Sequence, residues 1–181
     1  MGELNRVQKV KPICAVTFNR DIPLLEVIPK LKNICGSVDL ESDIHNFSHT
    51  NYYRKEMGKN LKKVYLGFLP LIHPGRLPEL KLQTNVLETS WMRDGRRQVN
   101  LDPGYVNSAK MVLASTKDYS HRLYLSDGIY GDVQMVCVHG KFQTQDWTYP
   151  DYRELDIIEF FNKVRKMYLK QKERDDLKDE L

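Results

Sequence analysis

Lys11-Pro12-Ile13-Cys14-Ala15-Val16-Thr17-Phe18 is the first apolar run of the chain. It is followed by Asn19 to Asp21, and then by Leu24, Val27, Ile28, Leu31 and Ile34. The apolar run reads as a buried strand. Asn19 to Asp21 supply capping residues, and the next five apolar positions recur at helical spacing up to Gly36, where a glycine after a helix belongs. Pro23 fits the first helical turn. Pro29 removes one hydrogen bond from the interior and should bend the helix.

Working outward, Val38 to Phe47 predicts a second strand, and Thr50 to Gly58 a polar-aromatic connector containing Tyr52, Tyr53 and Met57. Lys63 to Ile72 predicts a third strand, broken by Pro74-Gly75. Leu77, Leu80, Thr84, Leu87 and Trp91 predict a second helix, ending near Asp94-Gly95. Gln98 to Leu101 reads as a short strand, stopped by the turn signal Asp102-Pro103-Gly104. Strand, helix, strand, strand, helix, strand is the ferredoxin-like βαββαβ order, here over the first hundred or so residues. Three more strands follow, Ala109 to Ser115, Arg122 to Ser126 and Ile129 to Val138, the last two joined by the hairpin signal Asp127-Gly128. A final helix from Tyr152 to Lys170 carries the stripe Ile157, Phe160, Phe161, Val164 and Tyr168. The expected fold is α+β: a ferredoxin-like first part, extended by a strand and a β-hairpin and closed by a C-terminal helix. Residues 1–181 read as one domain without repeats, with 171–181 a frayed charged tail.

Composition narrows the function classes. The 181 residues are 41% apolar and 29% charged, a globular balance. No run approaches the roughly 18 apolar residues of a membrane span. The first eleven residues lack an apolar signal core, so Lys178-Asp179-Glu180-Leu181 reads as the end of a charged tail and not as a retention address. Cys14, Cys35 and Cys137 are odd in number and far apart, which points to a reducing cytoplasm and away from a disulfide framework or zinc site. A net charge of +4 permits RNA or a phosphorylated ligand without demanding either. Nothing in the sequence names a cofactor.

The phosphate-binding glycine loops are absent, and Thr116-Lys117-Asp118 places its acid one position early for guanine recognition. His45 and His49 have metal-ligand spacing but sit at a strand end, so two solvent-facing histidines and no metal site are expected. The dense polar segment is Arg96 to Asp132. Asp102, before Pro103-Gly104, suits a turn, with proton transfer as its alternative role. Lys117, within the hydroxyl-rich Ser115–Ser120 loop, could hold an anion. A two-residue Asp127-Gly128 loop sets Ser126 against Ile129 and His121 against Gln134, with His121 diagonal to Asp132, as an acid–base histidine would be. Asn100, Lys110, Thr116, Lys117, Arg122, Asp127 and Tyr130 are the candidate ligand contacts, and His121 and Asp102 the candidate proton-transfer groups. Trp147-Thr148-Tyr149-Pro150-Asp151-Tyr152 could stack a base, but reads first as packing at a helix entrance with Asp151 as N-cap. The expected function is therefore binding of, or action on, a phosphorylated or other anionic small molecule. The alternative is a non-catalytic RNA- or protein-binding module using the sheet face and the 147–152 aromatics.

Four blocks also resemble a known family: Val99-Asn100-Leu101-Asp102-Pro103-Gly104-Tyr105; Val112 to Arg122; Asp127-Gly128-Ile129-Tyr130; and Trp147 to Tyr152. With Tyr53, Glu56, Met57 and Gly58, they are similar to the signature blocks of the domain of unknown function 4416 family. The resemblance covers nearly the whole chain and implies a prokaryotic, cytoplasmic protein. It supplies no activity. Some members carry a GTP-binding label, which no motif here supports.

Overall fold

Residues 6–47, 56–58 and 60–179 are described by the computed structural model, and they form one antiparallel sheet with helices on both faces. Strand β1 (Lys11–Asn19) lies at its heart. Side chains alternate across a strand, so Cys14, Val16 and Phe18 enter one apolar core and Ile13 and Ala15 the other. On the first face, helix α1 (Leu24–Cys35) buries Val27, Leu31 and Cys35, and helix α2 (Leu77–Glu88) buries Leu80. On the second face, helix α3 (Leu155–Asp179) lays down Ile157, Phe160, Phe161 and Val164, the spacing of one helical stripe. Helix α1 runs through Pro29. Leu25, whose carbonyl loses its partner there, lies on the exposed side of that helix.

Strands β4 (Leu61–Leu69) and β5 (Val99–Val106) flank β1. Beyond β4 lie β2 (Ser37–Glu41) and β3 (His45–Phe47), both paired with it. Beyond β5 come β6 (Lys110–Ser115), β8 (Ile129–Val138) and β7 (Arg122–Ser126), with β9 (Lys141–Thr144) also on β8. The order is β2-β4-β1-β5-β6-β8-β7.

Several expectations need correction. Val38 to Phe47 is two strands, because Ser42 turns its hydroxyl onto the Tyr65 amide and its own amide onto the Tyr65 carbonyl. Strand β9 is not apparent from sequence because His139-Gly140 does not look like a hairpin turn. Both residues have positive φ (49° and 80°) and reverse the chain. Helix α3 starts at Leu155, after a short 3-10 turn at Pro150–Arg153. It continues past Lys170 to Asp179, where fraying was expected. Gln171 bridges Lys11 (3.2 Å) and Asp39 (2.9 Å), and Asp175 pairs with Lys9 (3.1 Å). Asp151 is not an N-cap: it is buried, accepting from Lys63 Nζ (2.6 Å) and Tyr65 Oη (2.7 Å). Burial opposes its charge, but Lys63 and Tyr65 outweigh that and hold it below the usual carboxylate range. Tyr52, Tyr53, His49 and the last two residues of the tail lie outside the described residues.

The largest correction concerns Asp102-Pro103-Gly104. It does not stop a strand; β5 runs straight through it to Val106, paired with β1 along its whole length. Leu101 turns its N–H and C=O away from β1, toward α2. Pro103, two residues on, presents its nitrogen to the same side. Among the described residues no strand lies there, so its missing N–H leaves no ladder bond unmade.

Candidate functional site

Strand β6 pairs with β5 only through Gly104, Tyr105 and Val106, against Leu113, Val112 and Met111. Ahead of Gly104 the two strands part. At the point of closure they approach so tightly that a Cβ on Gly104 would meet the Val112 carbonyl oxygen at 2.3 Å. The fork beyond it is a cleft of about 330 Å³. One wall is β5 and α2, with Lys81, Glu88, Asn100 and Asp102. The other is the end of β6 and the loop after it, with Ser115, Thr116 and Lys117, backed by Asp132 and Tyr149.

A parted strand leaves backbone groups without a ladder, and buried ones need other partners. Side chains of α2 supply them: Glu88 accepts from the Leu101 N–H (2.7 Å), and Lys81 donates to the Leu101 carbonyl (2.8 Å). Both side chains are then held from the cleft side. Lys81 also donates to Asp102 (3.2 Å), whose other oxygen accepts from Asn100 Nδ2 (2.7 Å). Arg97 donates to Glu88 (2.9 Å) and Asn100 (3.1 Å), and closes a two-pronged pair with Glu56 (2.6 and 2.7 Å). Burial pushes the Glu88 carboxyl above its usual range; Lys81, the Leu101 N–H and Arg97 offset only part of that. Glu56 is held below its usual range, first by its hydrogen bonds from Arg97.

The second wall is built around Arg122. Its guanidinium is buried and donates to Asp132 (2.7 Å), Ser115 Oγ (2.7 Å), the Lys117 carbonyl (3.1 Å) and Tyr149 Oη (2.8 Å). Gln134 donates to the other oxygen of Asp132 (2.7 Å) and accepts from the Tyr149 N–H (2.9 Å). One side chain thus fixes the β6 end, the rim loop and the 149 segment together.

Of the residues singled out from sequence, Asn100, Asp102, Thr116 and Lys117 line this cleft, and Arg122 stands directly behind it. Lys110 lies at the opposite end of β6, across from Val136. Asp127 is at the exposed tip of the hairpin with φ 53°, and Tyr130 packs edge-on against Tyr124 (5.5 Å). The hairpin register differs from the expected one. Ser126 does face Ile129, but a bulge between Tyr124 and Ser126 shifts the rest by one, so Arg122, not His121, takes the place on Asp132. His121 still reaches Asp132 at 3.6 Å from the turn before β7, stacked on Trp147 (5.2 Å, 16°) and away from the cleft lining. Asp102 has no turn role.

The sequence reading missed Lys81, Asn85 and Glu88. They repeat at helical spacing beside the apolar stripe of α2, a second stripe that could have been seen. His45 joins Glu154 and Asp156, with possible donor atoms within 4.8 Å of one another. The Lys63 ammonium, gripped by Asp151, already stands as a cation in the adjoining recess. Among the described residues no helix is long and apolar enough to cross a membrane.

No curated protein and no solved structure matches the chain. A family model described as "Domain of unknown function (DUF4416)" matches residues 8–168. That span takes in β1, the cleft and most of α3, and the chain belongs to this family.

Proposed function

We propose that the protein binds a small ligand carrying an anionic group, a phosphate monoester or a carboxylate, in the fork between β5 and β6. The observation that carries this reading is the fork itself. Lys81, Asn100, Asp102, Thr116 and Lys117 converge on one cleft from two separate walls, and each wall is braced by its own buried ion network. Lys81 on the floor and Lys117 on the exposed rim supply positive charge; Asn100 and Thr116 supply hydrogen bonds. Asp102, 3.2 Å from Lys81, is the group best placed to exchange a proton with a bound molecule. The lining offers Lys81, Arg97 and Lys117 against Glu88, Asp102 and Asp132. That balance favours a ligand of low net charge over a nucleoside triphosphate.

The same proposal includes a ferredoxin-like βαββαβ unit, supported by the β2-β4-β1-β5 order with α1 and α2 on one face. It also includes cytoplasmic residence, supported by three free cysteines. The RNA- or protein-binding alternative has less to stand on. Tyr152 is buried, Tyr149 is bonded to Arg122, and Trp147 is committed to the Val133 carbonyl and to His121.

Thermal unfolding against sugar phosphates, small dicarboxylates, GTP and a short RNA tests the reading. A ligand at about 100 times its Kd adds roughly 2.7 kcal/mol, several degrees at this length. The expected result is a shift from a monoanionic or dianionic small molecule that disappears in Lys117→Ala and Asp102→Asn. No shift from any small molecule, or one that survives both substitutions, would overturn it. A shift from RNA alone that collapses with added salt would favour the alternative.

A further inference from the structure

Two buried hydroxyls, Thr17 Oγ1 and Tyr152 Oη, have no hydrogen-bond partner among the described residues. Each lies one step behind a residue that lines the cleft. Thr17 follows Ile13 and Ala15 on the α3-facing side of β1, and its cross-strand neighbours are Asn100 on β5 and Lys63 on β4. Tyr152 lies against Tyr149, ring centroids 6.1 Å apart. It also meets Tyr65 edge-on at 5.1 Å, stacks on Phe161 at 5.7 Å and lies under the Lys63 ammonium at 4.9 Å. Tyr65 and Asp102 are the two cross-strand partners of Ala15. The phenol feels both flanking carboxylates: burial first, then Tyr65, Asp151 and Asp102, push it well above its usual value, so it keeps its proton and serves as a donor.

A buried hydroxyl without a partner is penalised relative to the methyl or phenyl group that could replace it. One such hydroxyl is an isolated cost. Two of them on one face of the sheet, behind Asn100, Asp102 and Tyr149, are polar atoms whose partner the described residues do not supply.

We propose that Thr17 and Tyr152 form the inner end of the binding site, and that they hold a neutral oxygen of the ligand, a hydroxyl or a carbonyl, while its anionic group stays with Lys81 and Lys117. This rests on the fork being the ligand site. It names the ligand class: a small molecule with an anionic group at one end and an uncharged oxygen at the other. A phosphorylated polyol and a hydroxy acid both meet that description. Side chains shield the two hydroxyls from the cleft, so the ligand displaces them as it enters.

Calorimetric titration with two matched pairs tests the proposal: glycerol 3-phosphate against propyl phosphate, and 4-hydroxybutyrate against butyrate. The wild-type chain is expected to bind the hydroxylated member of one pair about tenfold more tightly, the worth of one net hydrogen bond. The pair that shows the preference tells phosphate from carboxylate chemistry. In Thr17→Val and Tyr152→Phe the preference should vanish while affinity for the deoxy member is kept, and Thr17→Ser should restore it. Both variants remove only an unpartnered oxygen, and circular dichroism reports their folding. Equal affinity within both pairs for the wild type, or a preference untouched by both variants, overturns the inference and leaves the fork as a ligand site. If the wild type binds none of the four probes and none of the compounds in the thermal screen, the fork reading itself falls, and this inference with it.

Discussion

The two ends of the β5–β6 junction are a few residues apart and obey different rules. At the closed end, Gly104 to Val106 meet Met111 to Leu113 in an ordinary ladder, sealed by apolar side chains. At the open end the ladder is missing, and its work is divided among Glu88, Lys81 and Arg122. The sheet can part only where charged side chains satisfy the backbone, and those side chains need counter-charges in turn. A concentration of buried charge therefore follows from the fork, and with it a place where a polar ligand can be held.

The open end is the more fragile. Among the described residues Arg122 and Asp132 are about as buried as any ion pair, with side chains 2% and 1% exposed. Asp132→Ala leaves the guanidinium without its carboxylate in a dry place, and such losses cost about 3–5 kcal/mol. The expected outcome is a fall in Tm of roughly 10 °C, together with loss of ligand binding, because Ser115, the Lys117 carbonyl and Tyr149 are all positioned by the same guanidinium. A loss under about 1 kcal/mol would mean that His121 or water takes over, and that the second wall is not built on this pair.

Breaking the closed end should cost less. Gly104→Ala sets a methyl against the Val112 carbonyl, a backbone atom that cannot rotate away. Overpacking of this kind costs about 1–3 kcal/mol. Urea unfolding should show a lower midpoint with an unchanged slope. If stability were unchanged, the strands would be free to separate further, and the width of the fork would not be set by Gly104.

The fold was largely legible because its signals are local. The continuous apolar run of β1, period-3.6 stripes in α1 and α3, and the Asp127-Gly128 turn need no knowledge of distant residues. What escaped was non-local. Asp102-Pro103-Gly104 is a turn signal by composition, and only the absence of a strand beside Pro103 turns it into strand. The bulge at Tyr124–Ser126, which moves Arg122 onto Asp132, depends on packing that a hairpin motif does not encode. For the candidate site, the segment 96–132 supplies much of the cleft lining, but a linear stretch cannot say that Asn100 and Lys117 face one another while Lys110 and Asp127 look elsewhere. Half of the first wall comes from α2, whose polar stripe looks solvent-facing until the fork is known.

The smallest expected effect separates the two accounts of Glu88 at the open end. As a backbone acceptor it needs only an oxygen, and Glu88→Gln keeps one for the Leu101 N–H while Arg97 retains its paired bonds to Glu56. Stability at pH 7 should then change by less than about 1 kcal/mol. Its charge is disfavoured by burial, so the folded chain binds the Glu88 proton more tightly than the unfolded chain, whose carboxyl keeps its ordinary value of 4.5. That contribution to stability grows as pH falls through the raised folded value toward 4.5, and is constant below it. The glutamine variant has no such gain. Denaturant titrations of both proteins between neutral pH and the carboxylate range should therefore show the difference moving in favour of the wild type as pH falls. If it moves the other way, Arg97 and Lys81 hold Glu88 charged more strongly than burial penalises it, and the open end of the fork is fastened by ion pairing, with the backbone bond secondary.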